Sequence, residues 1–411
     1  MFDCPARIKT FTNFFSANAE KFKTNASENK RICFMKFMVC PKASEPVHAR
    51  KRKRHFALPP GVLCYHPRGV ERKILILTEG LSNPNSAKTA CSVIRYRRDE
   101  VVGVLDTTVP PQPAQALLEV GGDLPIVNSL EAVPEANVLL IGIAPTGGGL
   151  PAPMRALVLA AITRGMNVES GLHDFLNDDD EFVAAAKASG ATLRDLRAND
   201  EHDVAQRKNI SDDCLRIHTV GHDCSVGKMV VSIELARGLS AAGVDAKFIA
   251  TGQTGMLVEG DGCPIDAVVA DFISGAVEKQ ILAHQHHRVL VIEGQGSITH
   301  PCYSAVTLGL LHGCLPHALV YCYEMGRKMV KGVDHIALPP MEPQRDIIHA
   351  MANAAHPCEF IGVAINSRNV DDDAYQKEKA RIEAEWNLPA TDVFRDGAEP
   401  LVNAARGMLE D

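Results

Sequence analysis

Several things this sequence lacks narrow its function. No apolar run approaches the roughly eighteen residues that a membrane-spanning helix requires, so no membrane span is expected. The 12 cysteines include no Cys-x-x-Cys pair. A thiolate zinc site therefore has no spacing to support it. The scatter reads as reduced, mostly buried thiols in a cytoplasmic protein rather than a disulfide framework. Aromatic residues make up only 5% of the chain, with a single Trp, while Gly, Ala and Val are plentiful. That balance suits close helix–sheet packing in an α/β protein. The first strand–helix turn, "TEGLSNPNSAKT" (78–89), has no Gly-x-Gly-x-x-Gly fingerprint, so neither NAD nor FAD is predicted.

A uniformly basic surface is missing as well. The formal net charge is −7. Residues 1–64 hold 13 Lys and Arg against 4 Asp and Glu, and the remainder holds 30 against 46. An acidic body does not suit general nucleic-acid binding, and no nucleic-acid partner is expected. Residues 1–64, with the basic run Arg50–Arg54, read as a disordered basic extension.

What is present is a repeated strand–helix pattern. Short apolar runs at 73–77, 101–105, 124–127, 137–145 and 166–172 alternate with mixed segments such as the helical 153–165. A second series follows at 215–220, 245–251, 288–294, 317–323 and 359–366, with amphipathic helices near 227–242, 305–313, 343–355 and 373–386. Unbroken apolar runs between helices indicate buried parallel strands. The fold class is α/β with two doubly wound domains: Rossmann-like over 65–175, and P-loop NTPase-like over 214–411. The polar segment 176–213 reads as a linker, and its acidic triplet Asp178–Asp180 as a helix N-terminus.

The second domain opens with the stretch that carries most information. Gly221, His222, Asp223, Cys224, Ser225, Val226, Gly227 and Lys228 follow an apolar strand and precede a helical pattern. Glycines let backbone N–H groups turn inward around an anion, the helix adds its positive end, and Lys228 adds a charge. Its spacing resembles the Gly-Thr-Asp-x-x-Val-Gly-Lys loop of dethiobiotin synthetases, with His222 where Thr is usual. The hydroxyl that would hold magnesium is missing: Met229 and Val230 follow the lysine. Phosphate binding is therefore expected more firmly than magnesium-nucleotide hydrolysis, and no resident metal is predicted.

Two further strand ends carry polar groups. "IATGQTGMLVEGDG" (249–262) offers Gln253 and Thr254 between glycines, in a loop at the carboxyl end of a strand. "VLVIEGQGSITHPCYS" (289–304) ends a buried strand on Glu293, with Ser297, His300 and Tyr303 beyond it. The three histidines of "AHQHHR" (283–288) read as a solvated helix end. His173 and the turn "APTGGGLP" (144–151) sit at strand ends of the first domain, where a plain turn explains them as well as a cleft does.

Taken together, "VGHDCSVGKM", "IATGQTGMLVEGDGCPIDAVVADFISGAVE", "IEGQGSITHPCYSAVTLGLLHG" and "GVAINSRN" resemble the DgcN-type D-glutamate (D-amino-acid) N-acetyltransferases. That family was long catalogued as a domain of unknown function. The resemblance spans roughly residues 72–408. It implies acetyl transfer from acetyl-CoA, as co-substrate, to the amine of a D-amino acid, D-glutamate being the best-known acceptor. Coenzyme A offers phosphates that a loop can hold without hydrolysing them. On this reading Glu293 is the general base, with His300 as second choice. Backbone N–H groups near Gly294–Ser297, or Lys228, face the oxyanion. Gln253, Thr254, Ser297, Arg327, Lys328 and Arg368 are candidates for the acidic acceptor.

Two rival expectations stand beside it. One is an ATP-dependent ligase or kinase of dethiobiotin synthetase type, using MgATP. The other is a nucleotide-sensing regulatory protein. Surface helices on two open sheets also leave room for a homo-oligomer.

Overall fold

The computed structural model describes residues 71–145 and 147–410. The expectations for residues 1–64 lie outside the described residues.

The first domain runs β1 (Ile74–Leu77), α1 (Lys88–Tyr96), β2 (Val101–Leu105), β3 (Gln112–Pro113), α2 (Ala114–Leu118), β4 (Pro125–Val127), β5 (Val138–Ile141), α3 (Ala152–Thr163), β6 (Asn167–Ser170), α4 (Asp180–Ser189) and β7 (Leu193–Asp195). Its sheet has the order β3-β4-β2-β1-β5-β6-β7, parallel throughout except for β3 against β4. The chain moves from β1 to one side, through β2 and β4, then returns to the other side at β5. That reversal opens a crevice at the carboxyl ends of β1 and β5. Every residue of β1 and β5 is buried, which is why both read as continuous apolar runs.

The second domain runs β8 (Leu215–Gly221), α5 (Lys228–Ala241), β9 (Ala246–Ile249), α6 (Gln253–Glu259), α7 (Ile273–His284), β10 (Val289–Ile292), α8 (Ser304–Cys314), β11 (Ala318–Glu324), β12 (Met329–Val330), β13 (Val333–Ala337), α9 (Met341–Asn353), β14 (Glu359–Asn366), α10 (Asp372–Trp386), β15 (Ala390–Thr391) and α11 (Glu399–Gly407). Its main sheet is parallel, in the order β15-β14-β11-β8-β10-β9, and β12–β13 form a separate antiparallel hairpin. β10 is buried along its whole length between β8 and β9. Truncating Leu290 to Ala there would cost about 2–5 kcal/mol, since it is fully buried.

Two expectations need correction. Residues 176–213 are not simply a linker: they carry α4 and the edge strand β7, which pairs with β6. Their polar composition reflects a surface helix that buries only Phe182 and Ala186, and a strand with Asp195 alone buried. Asp179 does cap α4, accepting from the Glu181 and Phe182 N–H groups. Gln253 and Thr254 lie in the first turn of α6, not in an open loop, because the chain turns into a helix directly after Gly252.

The carboxyl ends of the two sheets face each other. Thr89 of α1 shares a 2.8 Å hydrogen bond with Thr254 of α6. Arg197, just beyond β7, donates to Gln253 Oε1 at 2.8 Å. Tyr96 donates to Glu234 of α5 at 2.7 Å. Leu257 of α6 is buried in the same apolar cluster as Val93, Ile94 and Leu196. No helix among the described residues is long and apolar enough to cross a membrane. Every cysteine among them is unpaired.

Candidate functional site

β8 is buried throughout and delivers the chain to the loop at Gly221. Ser225 (φ 56°) and Gly227 (φ 108°) both adopt left-handed backbone. Gly227 tolerates this because it has no Cβ, and it serves as the N-cap of α5. The backbone N–H groups of Ser225, Val226, Gly227, Lys228, Met229 and Val230 donate to nothing among the described residues. Consecutive free donors at the positive end of a helix form an anion cradle. No hydroxyl follows Lys228. The nearby Thr219 and Ser232 hydroxyls bond to each other at 2.9 Å, and Ser232 also donates to the Lys228 carbonyl.

Lys228 lies at the base of the loop. Its ammonium donates to the carbonyls of Asp223 at 2.7 Å and Gly296 at 2.8 Å. Burial lowers its pKa. The second bond ties the loop to the segment after β10, so two motifs about seventy residues apart meet here.

Asp223 is completely buried and braces the loop. It accepts from its neighbour Cys224 N–H at 2.7 Å, from Arg327 Nη1 at 2.9 Å and from Lys331 N–H at 2.9 Å. His300 Nε2 approaches it at 3.8 Å but donates to the Lys331 carbonyl at 3.1 Å, while Nδ1 accepts from Cys302 N–H at 3.1 Å. Asp223, Cys224 and His300 are close enough together to suggest a cation site. The hydrogen bonds already made by Asp223 and His300 make the cluster a brace instead. His222 is 3% exposed, and neither ring nitrogen has a hydrogen-bond partner among the described residues. Burial, with Arg327 nearby, pushes its pKa down to about 3, so the ring is neutral.

Glu293 follows β10 directly and is 6% exposed. Its Oε2 accepts from Thr251 N–H at 2.8 Å and Gly252 N–H at 3.2 Å, and Oε1 accepts nothing among the described residues. Burial pushes its pKa up to about 7, against the lowering effect of the two backbone bonds. A half-satisfied carboxyl with a pKa near neutrality can take a proton from an amine. Among the expected oxyanion donors, the Gly294 N–H is held by Thr219 Oγ1 at 2.9 Å, and Lys228 is held by its two carbonyls. The N–H groups of Gln295, Gly296 and Ser297 remain without acceptors among the described residues.

The first domain adds Arg197 and His173 to the crevice, where they meet Gln253 and Asp266 of the second. Arg197 is buried and donates through Nε and Nη2 to Asp266 Oδ2, at 3.1 and 2.7 Å. Asp266 Oδ1 is buried without a partner among the described residues, and His173 Nε2 lies 4.0 Å from Oδ2. Gln253 is brought into this group through Arg197, whereas Thr254 is occupied by Thr89. Ser297 is buried, and its hydroxyl makes only a 3.4 Å contact with Thr299 Oγ1 among the described residues. Arg327 serves the loop, bound to Asp223 and Glu324. Arg368 reaches the first domain at Asn85. The histidines at the end of α7 pair with acids: His284 with Asp261 at 3.1 Å and His287 with Asp245 at 2.8 Å.

Sequence reasoning missed Lys88, Arg197, Asp266 and Lys331. No spacing links them, since each lies on a different element and only the facing of the two sheets brings them to one crevice.

Two open, largely parallel sheets that meet at a P-loop define a two-domain Rossmann-like and P-loop protein. The chain belongs to the DUF1611 family. "Domain of unknown function (DUF1611_C) P-loop domain" matches residues 203–402, and "Domain of unknown function (DUF1611_N) Rossmann-like domain" matches residues 111–199. A D-glutamate N-acetyltransferase of Tritonibacter scottomollicae is 34% identical over 344 residues, covering 82% of this chain and 98% of that protein. A Pseudoalteromonas protein of the same name is 36% identical over 268 residues, covering 65% and 80%. The crystal structure of a DUF1611 family protein from Anabaena variabilis matches with a TM-score of 0.77 at 34% identity, covering 82% of this chain and 99% of that one. The resemblance drawn from the loop and strand motifs agrees with this membership.

Proposed function

We propose that this protein is an N-acetyltransferase that moves an acetyl group from acetyl-CoA to the amine of D-glutamate. The relatives that bear this activity in their names support it. The observation that carries it is the loop. Its free N–H groups suit a phosphate, Met229 and Val230 offer no magnesium hydroxyl, and Lys228 joins it to the segment that follows Glu293.

In the reaction the acceptor enters the crevice as an ammonium. Glu293 takes one proton through Oε1, and the free amine attacks the thioester carbon. The new C–N bond forms as the C–S bond breaks, and the second proton of the attacking nitrogen passes to the departing thiolate, which leaves the amide and free coenzyme A. The N–H groups of Gln295, Gly296 and Ser297 are the donors available to the oxyanion. Arg197 Nη1 and Gln253 Nε2, which bond to nothing among the described residues, are the donors left for the acceptor's carboxylates beside the Arg197–Asp266 pair. The loop holds the donor's phosphate as a handle, and the chemistry takes place away from it.

The test is to incubate the purified protein with D-glutamate and either acetyl-CoA or MgATP, following free thiol and ADP. Thiol release that depends on D-glutamate is the expected result. ADP release alone would replace this reading with a ligase or kinase, and neither product would leave a nucleotide sensor.

A further inference from the structure

Three cations from elements remote in sequence meet at the rim of the phosphate loop. Lys88 opens α1 in the first domain and donates from Nζ to Ser225 Oγ at 3.0 Å. Lys331 occupies the β12–β13 turn, its own N–H bound to Asp223. Arg368 follows β14 and reaches Asn85 of the first domain at 3.5 Å. None of the three has a carboxylate partner among the described residues. Arg327, beside them, is neutralised by Asp223 and Glu324. Although the side chain is exposed along its length, the protein surrounding its ammonium lowers the pKa of Lys88 most, and Lys331, Arg327 and Arg368 lower it further. Like charges gathered without a counter-ion repel one another, and an incoming anion turns the arrangement favourable.

The cradle and the rim are two tiers. Lys228 is buried at the base with the free N–H groups of the loop, whereas Lys88, Lys331 and Arg368 are exposed beside the exposed Ser225. One phosphate or one pyrophosphate satisfies the inner tier. The outer tier calls for a second anionic group on the same ligand. We infer that Lys88, Lys331 and Arg368 bind the 3′-phosphate of the acyl donor's adenosine while the loop holds its pyrophosphate. This rests on the reading of acetyl-CoA as donor. It gives the first domain a direct part in donor recognition, because Lys88 carries its charge across to the loop of the second domain. The acceptor's carboxylates are the rival source of the same negative charge; Arg197 Nη1 and Gln253 Nε2 are the donors left for them elsewhere in the crevice.

Titration calorimetry of the full-length chain with coenzyme A and with 3′-dephospho-coenzyme A tests this. The native chain is expected to bind coenzyme A about tenfold or more tightly, the scale of a charge-assisted phosphate contact. Lys88→Gln and Arg368→Gln each weaken coenzyme A and move its affinity toward that of the dephospho form. All three rim side chains are exposed, so thermal unfolding midpoints near native are expected; Lys331→Gln provides an independent third variant. Equal native affinity for the two coenzymes overturns the inference and leaves the donor reading standing. So does a native-like ratio in the variants accompanied by a raised KM for D-glutamate, which would assign the rim to the acceptor. Binding of neither coenzyme by the native chain overturns the donor reading and this inference with it.

Discussion

The Gly294 N–H donates to Thr219 Oγ1 at 2.9 Å, and the two backbones lie so close that a Cβ on Gly294 would overlap the Thr219 carbonyl oxygen. The end of β10 is thereby pressed against β8, and the Lys228 side chain packs on the same glycine. Gly294→Ala has no room without parting these strands. It should destabilise the chain by about 1–3 kcal/mol in denaturant unfolding and lower turnover at least tenfold, because Glu293 moves with the strand end. Native-like stability and turnover would show that the strands part freely.

Arg327 and Asp223 form the pair that holds the loop's shape. Asp223 is fully buried, and loss of the guanidinium would leave its charge with backbone donors alone. Arg327→Ala should therefore cost about 3–5 kcal/mol in chemical unfolding, the penalty of breaking a buried pair, and donor affinity should fall with it. A change within ordinary surface limits would mean that Arg327 is free for substrate, as the sequence alone suggests.

The contrast between those two arginine readings marks what a sequence carries. Apolar runs located nearly every long strand: 101–105 matches β2 and 359–366 matches β14, because buried parallel strands must be continuously apolar. The loop and Glu293 were legible for the same reason, since each directly follows such a run. The short hairpin at Met329–Ala337 and the edge strand β7 left no pattern, having too few buried residues to impose one. Arg327 was legible as a cation after a strand but not as a partner of Asp223, 104 residues away. Lys88 and Asp266 were silent, because their neighbours are set by how the domains face each other.

Metal removal gives an independent check. With Met229 and Val230 after Lys228, and with Asp223 held by Arg327, the loop has no side chain ready for magnesium. Dialysis against a chelator should leave acetyl transfer unchanged, within twofold, in the thiol-release assay. A loss restored by added magnesium would return the chain to the ATP-using class.

The pH dependence of turnover should report Glu293. Burial pushes its pKa from 4.5 up to about 7, and only the ionised form can accept the amine's proton. The value kcat/KM should therefore fall about tenfold per unit as pH drops below about 7. Glu293→Gln keeps one oxygen for the Thr251 and Gly252 N–H groups, so the fold and coenzyme A binding should survive. Turnover should drop about a hundredfold or more, and the acid limb should disappear. The same shift has a stability consequence of definite sign. A carboxyl whose folded pKa is raised favours the folded state fully below pH 4.5, and this is lost as pH climbs through 7. At pH 8 the Gln variant should thus unfold at higher denaturant than the native chain, and at pH 4 that advantage should be gone. An unchanged acid limb in the variant would remove Glu293 as the base, whatever its stability.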